Sequence, residues 1–358
     1  MNSVDPVSIR TMPRLLKALG QTFGAGVAVQ VGAPKSVPSP KGRAGALVVT
    51  VSVGGKRHRF LAELRAGSTP RLVEEARMRA QESAQVAGLL PMVIVPHLSP
   101  ARIDSLLASG VSGMDLSGNG LIIVPGTLLL RRDGQPNRFP DSRPSRFAYR
   151  RATSIVPRAF LCRAEYESVG AIREEIARRG SDVALSTVSK ALARMVDDLL
   201  VSRDGDSIRL VQPDGLLDAL AGSFRYPREI ASVRLRWREP ISAMFGALKE
   251  ESVSLSGLSS VAQYSAGMRS DRPVIYCADL SRAQAAIGRA WSPEDRFPDI
   301  TMVEIDDPAV LFATTVTPDG VVAASAVQTY LELNVSGDPR DREMALQVRD
   351  AILRDVRQ

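Results

Sequence analysis

Cysteine and histidine are scarce in this chain of 358 residues, which contains two of each. Cys162 and Cys277 are too few for a disulfide framework or a thiolate metal site. Neither His58 nor His97 has a partner at metal-ligand spacing, so we expect no metal and no cofactor. The longest apolar runs, such as Gly120–Val124, fall far short of the ~20 residues of a membrane-spanning helix. Because no charged-then-apolar leader opens the sequence, we expect a cytoplasmic protein without membrane contact.

The net charge is small but localised. The chain has 46 Lys and Arg against 39 Asp and Glu, a net of +7. The segment from Arg131 to Arg238 holds 21 basic and 14 acidic residues, while the remainder holds 25 of each. Arginine-rich runs occupy both ends of this segment. A localised positive charge favours a polyanionic partner, whereas a basic run alone is more often a solvated surface.

Between the two runs the sequence has the pattern of two short helices and a hairpin. Ser168–Ile176 spaces its apolar residues helically and is followed by Gly180, which favours a helix end. A cap at Ser186 is predicted to start a second helix over 187–199, with an apolar stripe on one face. Two alternating runs in Leu200–Val211 flank an Asp-Gly pair, a strong hairpin signal.

This order, carried by "STVSKALARMVDDLLVSRDGDSIRL", resembles the winged helix-turn-helix domain, and a preceding helix is predicted over Ser154–Tyr166. The resemblance implies that the second helix enters the major groove while the wing contacts the backbone. The alternative is a winged helix that docks a protein or dimerises. The candidate DNA contacts are Ser186, Thr187, Ser189, Lys190 and Arg194 on the helix, Arg203 and Arg209 on the wing, and Arg150 and Arg151 in the flanking run.

Helices and strands alternate in the N-terminal third, which predicts an α/β domain. A helix is expected over Val7–Leu19, followed by a loop over 32–45. Strands over 46–53 and 57–65 are joined by a Gly-Gly turn. The remaining predicted elements are helices over 70–88 and 99–109 and strands over 91–96, 113–116 and 120–124.

The order helix, hairpin, strand ending in Glu-x-Arg, helix, strand resembles the PD-(D/E)xK restriction-endonuclease-like fold. That fold holds a metal with an upstream Asp and the Glu of Glu-x-Lys, and its Lys assists the attacking water. Glu63 and Arg65 stand at the Glu-x-Lys position here, but no acidic residue lies between Asp5 and Glu63. Arginine stays protonated and is a poor substitute for that lysine. We therefore expect the fold without catalysis, and a nuclease using Glu63 and Arg65 is the alternative.

Three other acids remain candidates to complete such a nuclease site. They are Glu74, Glu75 and Asp115. The last begins the stretch Asp-Leu-Ser-Gly-Asn, whose residues suit a compact turn between strands. Turn geometry is the favoured interpretation of this stretch, and a surface contact is the alternative.

The C-terminal third predicts a second α/β layer, with strands over 273–278, 301–305 and 310–315 and a closing helix over 340–357. Two stretches, "LSGLSSVAQYSAG" and "VVAASAVQTYLELNVSGDPRDREMALQVRDAIL", resemble the AbiEi family of antitoxins of type IV toxin–antitoxin systems. The resemblance covers roughly 154–358. It departs from the family in Leu331-Glu332-Leu333, where Leu-Asp-Leu is commoner, and in the internal position of the winged helix.

That resemblance implies a repressor that binds inverted repeats at its own promoter. It also implies a C-terminal domain that counteracts a nucleotidyltransferase toxin without a stable complex. The expected architecture is a multi-domain α/β protein with a nuclease-like domain over 1–148, a winged helix over 149–222 and an AbiEi-like domain over 223–358. Double-stranded DNA is the expected partner, bound by a dimer if the operator is two-fold. A plasmid-maintenance DNA-binding protein is a further alternative.

Overall fold

The computed structural model describes residues 27–31, 46–138, 147–205, 207–265 and 272–357. They divide into two compact units, with the boundary between Pro144 and Ser145. The helix expected over 7–19 and the loop expected over 32–45 lie outside the described residues. Both units combine helices with strands, which confirms the mixed α/β class. No helix in the described ranges is long and apolar enough to cross a membrane.

Unit 1 is built on one sheet, whose described strands follow each other in chain order from edge to edge. The strands are β1 (Val27–Val31), β2 (Ala46–Val53), β3 (Lys56–Leu64), β4 (Leu90–Val95), β5 (Ser112–Asp115), β6 (Gly120–Val124) and β7 (Leu128–Arg132). The central neighbours β3, β4 and β5 are parallel, and the pairs on both sides of them are antiparallel.

Two helices provide the crossovers between the parallel strands. Helix α1 (Pro70–Ala87) joins β3 to β4, and α2 (Pro100–Ala108) joins β4 to β5. Right-handed crossovers place successive helices on one face of the sheet. Strand β4 is buried on both faces, because Met92 and Ile94 belong to one hydrophobic cluster while Val93 and Val95 pack with the two helices. Its uninterrupted apolar sequence is typical of a central parallel strand.

Unit 2 begins with a set of short helices around a small three-stranded sheet, in strand order β8-β10-β9. The helix predicted over 168–176 and the hairpin in 200–211 are confirmed with slightly different bounds, whereas the helix predicted over 154–166 ends at Cys162 and Glu165–Tyr166 is a strand. The elements are α3 (Ile155–Cys162), β8 (Glu165–Tyr166), α4 (Val169–Arg178), α5 (Leu185–Asp197), β9 (Val201–Asp204), β10 (Ser207–Leu210) and α6 (Pro213–Ser223).

The rest of unit 2 contains a five-stranded sheet, in order β12-β13-β15-β11-β14, and a two-stranded one. The strands are β11 (Glu229–Trp237), β12 (Val253–Leu255), β13 (Val274–Cys277), β14 (Trp291–Pro293), β15 (Ile300–Ile305), β16 (Thr315–Val316) and β17 (Val322–Ala323). The helices are α7 (Ile241–Ala247), α8 (Leu280–Ile287), α9 (Ala326–Val335) and α10 (Pro339–Arg357).

The strand predicted over 310–315 is wrong. Pro308–Leu311 forms a 3-10 turn, started by the carboxylate of Asp307, which accepts a hydrogen bond from the Ala309 N–H at 3.1 Å. Of the predicted range, Thr315 alone lies in a strand, Thr315–Val316. Val310 is fully buried in the turn, and an apolar run of this length does not distinguish a buried turn from a strand.

One hydrophobic core joins the first part of unit 2 to its last two helices. It contains Phe160 of α3 and Val188 of α5 together with Tyr330 of α9 and Val348 of α10. The five-stranded sheet packs with α7 and α8 in a separate cluster. Helix α10 packs directly against α3 and α6, and α9 packs against α6, so this part of the unit depends on its last two helices for some of its burial.

Candidate nucleic-acid interface

Helix α4 leads to a tight turn because of its two ends. The Ser168 hydroxyl caps the start, accepting a hydrogen bond from the Ala171 N–H at 3.0 Å. Gly180, with a φ of 84°, supplies the left-handed residue that ends it. The Glu175 carboxylate is buried and bonds Arg178 and Arg179. Burial opposes ionisation of Glu175, but these two guanidinium groups outweigh it and lower its pKa.

Helix α5 starts at Leu185, two residues earlier than expected, so the predicted cap at Ser186 is wrong. The N-cap is Ala184, whose carbonyl accepts from the N–H groups of Thr187 and Val188 at 2.8 and 3.1 Å. The first apolar side chain, Leu185, is half exposed and lies within the helix. Ser186 therefore lies in the first helical turn, where its hydroxyl is exposed.

The two faces of α5 differ sharply. Val188, Ala191, Leu192 and Met195 are buried in the core of unit 2. The opposite face presents four of the predicted contacts, of which Thr187 is half-buried and the others exposed: Ser186, Thr187, Ser189 and Lys190. The Ser189 hydroxyl donates to the Leu185 carbonyl at 3.0 Å, which leaves its oxygen free to accept.

Arg194, the fifth predicted contact on α5, is bound near the other end of the helix. Its Nε and Nη2 atoms lie 2.8 and 2.7 Å from the two carboxylate oxygens of Asp198. Asp198 also accepts a hydrogen bond from the Tyr149 hydroxyl at 2.6 Å. The guanidinium is thus neutralised within the protein, unlike Lys190, which forms no ion pair with any described residue.

The hairpin after α5 places its two arginines differently. Arg203 is exposed on β9, beside the turn at Gly205, whose carbonyl accepts from its Nε at 3.4 Å. Arg209 on β10 pairs with Glu165 of β8 at 3.0 Å, and this hydrogen bond, with one from Ser207, lowers the pKa of Glu165. Arg203 therefore keeps its charge available, while that of Arg209 is partly neutralised.

The two arginines of the flanking run lie just before α3. Arg150 is exposed, whereas Arg151 forms an ion pair with Asp306 at 2.8 Å and also donates to the Asp306 carbonyl. Both line a cavity of unit 2 together with Arg158, Arg225 and other residues. The sequence places Arg225 in the second basic run, but only the fold brings it beside Arg150.

In unit 1, Glu63 and Arg65 lie together at the end of β3. An Arg65 Nη atom donates to the Glu63 carboxylate at 3.2 Å and to the Leu64 carbonyl at 2.8 Å. Glu63 is buried, and it lies on the sheet face opposite Ala62 and Leu64. Its carboxylate is therefore paired with the arginine of its own motif.

Asp115, at the end of β5, is separated from Glu63 by β4 and by two residue positions of register. Second-neighbour strands are about 9–10 Å apart. The Asp115 carboxylate is buried and accepts five hydrogen bonds of 2.6–2.8 Å, from the backbone of Leu98, Ser117, Gly118 and Asn119 and from the Asn119 amide. These bonds hold the turn, which supports the turn interpretation. In the part of the chain that the structure describes, no group of three or more His, Cys, Asp or Glu side chains is placed to hold a metal ion.

Comparison with known proteins adds one distant likeness. No protein-family model matches the chain, and no curated protein matches it. A search of solved structures returned the crystal structure of the Megavirus polyadenylate synthase, with 11% sequence identity and a TM-score of 0.23. The match covers 98% of this chain and 58% of that protein. A TM-score this low carries no argument about fold or function.

Proposed function

We propose that this protein is a sequence-specific double-stranded DNA-binding regulator of transcription, and that α3 to β10 form a winged helix-turn-helix. The observation that carries the proposal is the polar, exposed first half of α5, with Ser186, Ser189 and Lys190 on a helix whose opposite face is buried. In helix-turn-helix proteins the N-terminal residues of the second helix contact base edges. Hydroxyl and ammonium groups are suitable for such contacts.

The ion pairs divide the predicted DNA contacts into unpaired and paired basic residues. Lys190 and Arg203 have charges without a carboxylate partner in the described ranges, so we assign them to bases or phosphates, whereas Arg150, which is also unpaired there, lines the cavity of unit 2. Arg151, Arg194 and Arg209 each pair with a carboxylate, so we assign them to supporting the DNA-binding elements. An arginine that must leave its partner to reach DNA contributes less to affinity than one that is already unpaired.

We further propose that the regulator is an autoregulating antitoxin. The support is the resemblance of residues 154–358 to AbiEi proteins, whose motifs fall on the 3-10 turn at Leu258–Gln263 and on α9 and α10. A cognate nucleotidyltransferase toxin would then be counteracted without a stable complex, and the protein would bind a two-fold operator as a dimer. A nucleotidyltransferase-like gene beside this one would support that role.

For unit 1 we propose a restriction-endonuclease-like scaffold without catalysis. The β2–β3 hairpin followed by α1 and the parallel β4 supports the scaffold. The pairing of Glu63 with Arg65 and the five hydrogen bonds to Asp115 argue against a metal site. A DNA cleavage assay with Mg²⁺ or Mn²⁺ tests this proposal. Activity that disappears in Glu63→Ala would contradict it.

A gel-shift assay with the DNA upstream of the protein's own gene tests the DNA-binding proposal. Lys190→Ala is expected to weaken binding about tenfold or more, since a lost base contact costs about 1–3 kcal/mol. Lys249→Ala is the matched control, because Lys249 is also an exposed lysine of unit 2 but follows α7. Equal affinities for the two variants would contradict the assignment of α5.

Salt dependence provides a second test on the wild-type protein. Each neutralised phosphate releases counterions, so affinity should fall by about 10³ between 50 and 200 mM salt if six or more phosphates are contacted. A flat salt dependence would favour the protein-docking alternative for the winged helix. Arg203→Gln should reduce the salt slope by about 1 if Arg203 contacts a phosphate.

A further inference from the structure

A cavity of about 320 Å³ in unit 2 concentrates positive charge. Its walls contain five arginines, Arg150, Arg151, Arg158, Arg225 and Arg228, against two aspartates. These residues come from the segment before α3, from α3 itself, from the segment after α6 and from the turn after β15. The cavity therefore exists only because the fold brings both basic runs of the sequence together.

The two aspartates neutralise only part of this charge. Asp306 pairs with Arg151 at 2.8 Å and with Arg228 at 3.5 Å. The Asp307 carboxylate accepts a hydrogen bond from the Ala309 N–H at the start of the 3-10 turn. Arg225 donates to the Phe224 carbonyl, and neither Arg225 nor Arg150 has a carboxylate partner in the described part of the chain.

Arg158 is the buried cation of the cavity. It is 3% exposed, and one of its Nη atoms donates to the Ala309 carbonyl at 3.0 Å. Its Nε is also buried and has no hydrogen-bond partner among the described residues. Burial lowers the pKa of Arg158 to about 10, although the charges of Asp307 and Glu332 oppose this shift, so the guanidinium remains protonated at neutral pH. A buried charge without a carboxylate partner in the described ranges is costly, and an anion in the cavity would offset part of that cost.

The chemistry of the walls selects the anion. Guanidinium groups match the geometry of phosphate oxygens and bind them through charge-assisted hydrogen bonds. Phe224 and Tyr226 also line the cavity, with their rings edge to face at 5.8 Å, and Tyr226 is half exposed. The volume is at the small end of ligand sites. We infer that this cavity binds a small organic phosphate, of the size of a nucleoside monophosphate, with its phosphate on the arginines and its apolar part on Tyr226.

The cavity is connected to α5, and this step rests on the proposed function. Tyr149 lines the cavity, and its hydroxyl is bonded to Asp198, which holds Arg194 on α5. A ligand that displaces the Tyr149 ring therefore changes the anchoring of the helix that we assign to DNA. Occupancy of the cavity is expected to change DNA affinity by the same factor by which DNA changes ligand affinity.

Calorimetric titration of the full chain with adenosine monophosphate, and separately with inorganic phosphate, tests the site without DNA. We expect binding that weakens about tenfold or more when Arg150→Gln is combined with Arg225→Gln, both exposed positions with little effect on folding. Arg340→Gln combined with Arg354→Gln is the matched control: it removes the same two charges from exposed positions on α10 that do not line the cavity. The control should bind like the wild type.

Each outcome of this titration has a defined meaning. No binding of either probe at millimolar concentration, or equal affinity in the Arg150/Arg225 double variant and the Arg340/Arg354 control, would overturn the inference. Probe binding that requires the cavity arginines supports the inference, even if the protein binds no DNA. Absence of DNA binding would contradict only the proposed function. Saturating DNA could displace the probe, and the double variant could lose DNA affinity in the absence of any probe. These two results together would mean that the cavity binds a phosphate of the DNA backbone, and they would overturn the small-molecule assignment.

Discussion

The phenol of Tyr149 donates a 2.6 Å hydrogen bond to the carboxylate of Asp198, across 49 residues of sequence. Burial is the main cause of a raised Tyr149 pKa, and the neighbouring Asp198 charge adds to it, so the phenol remains a donor over the whole accessible pH range. The bond fixes the last turn of α5 to the segment that precedes α3. It therefore contributes to stability as well as to the position of the helix.

Replacing Tyr149 by Phe should lower the free energy of unfolding by about 1–2 kcal/mol, because a hydrogen bond to a partly buried charged acceptor is lost. Urea denaturation measures this change. Tyr226→Phe is the control, since that hydroxyl donates at 3.2 Å to a neutral carbonyl, of Glu332, from a half-exposed ring. A loss for Tyr149→Phe no larger than for the control would show that the Asp198 contact adds nothing.

Asp115→Asn should destabilise unit 1 by about 3 kcal/mol or more. In the wild type, five hydrogen-bond donors share the two carboxylate oxygens of Asp115. In the variant one of these oxygens becomes an NH₂ group, which is itself a donor, so buried N–H groups lose their acceptor. Asp104→Asn, at an exposed surface ion pair with Arg131, should cost less than about 1 kcal/mol. Thermal unfolding of the two variants gives the comparison, and similar melting temperatures would refute the structural role of the turn.

Gly257→Ala should be strongly destabilising for steric reasons. An added Cβ would lie 2.8 Å from the Glu332 carboxyl carbon, 2.9 Å from the Gln328 carbonyl oxygen and 3.0 Å from the Thr329 Cα. Two of these atoms are backbone, so the contact cannot relax by a rotamer change, and overpacking of this kind costs about 1–3 kcal/mol. In α7, Gly246→Ala meets nothing within 4 Å and should be neutral or stabilising. Equal stability of both variants would contradict the close approach at Gly257.

Glu332 should make the protein less stable as the pH rises. The Glu332 side chain is fully buried, and burial raises its pKa. Hydrogen bonds from Gln328 and from the Leu258 backbone N–H lower the pKa, but burial has the larger effect. In the unfolded chain the pKa of Glu332 is about 4.3. Between that pH and the higher pKa of the folded state, the unfolded state binds fewer protons than the folded state, so the free energy of unfolding falls as the pH rises.

Glu332→Gln should remove this slope. Its stability relative to the wild type is expected to increase with pH by up to about 1.4 kcal/mol per unit within that window. Denaturation curves from pH 4 to pH 8 measure the difference, and Glu343→Gln, at an exposed position on α10, gives the reference. A pH-independent difference between Glu332→Gln and wild type would refute the raised pKa.

Sequence patterns predicted several amphipathic elements of the fold but missed α9 and β11, for different physical reasons. Helix α5 and the β9–β10 hairpin were predictable, because one shows an apolar stripe and the other a two-residue Asp-Gly turn. Helix α9 shows no stripe, since all residues from Val327 to Leu333 are buried, Gln328 and Glu332 included. Strand β11 alternates Arg234 and Arg236 with buried Leu235 and Trp237, which is a strand pattern. It was missed because its arginines belong to the second basic run of the sequence.

The candidate site was predictable to the extent that its interactions are local. Arg194 and Asp198 are four residues apart on one helix, a spacing that itself indicates an ion pair. The partner of Arg151 is Asp306, 155 residues away, and no pattern in a single sequence connects them. The arginine cavity could not be predicted for the same reason.

The shared core of unit 2 makes the order of synthesis matter. Residues as far apart as Phe160 and Leu353 belong to one hydrophobic cluster, in which α10 packs against α3 and α3 packs against α5. Helix α5 therefore lacks this indirect support until α10 has left the ribosome, and a nascent or prematurely terminated chain should hold α5 less firmly than the chain that contains α10. Ribosome-bound chains stalled before Pro339 and after Arg357, compared for protease resistance of α5, would measure this delay.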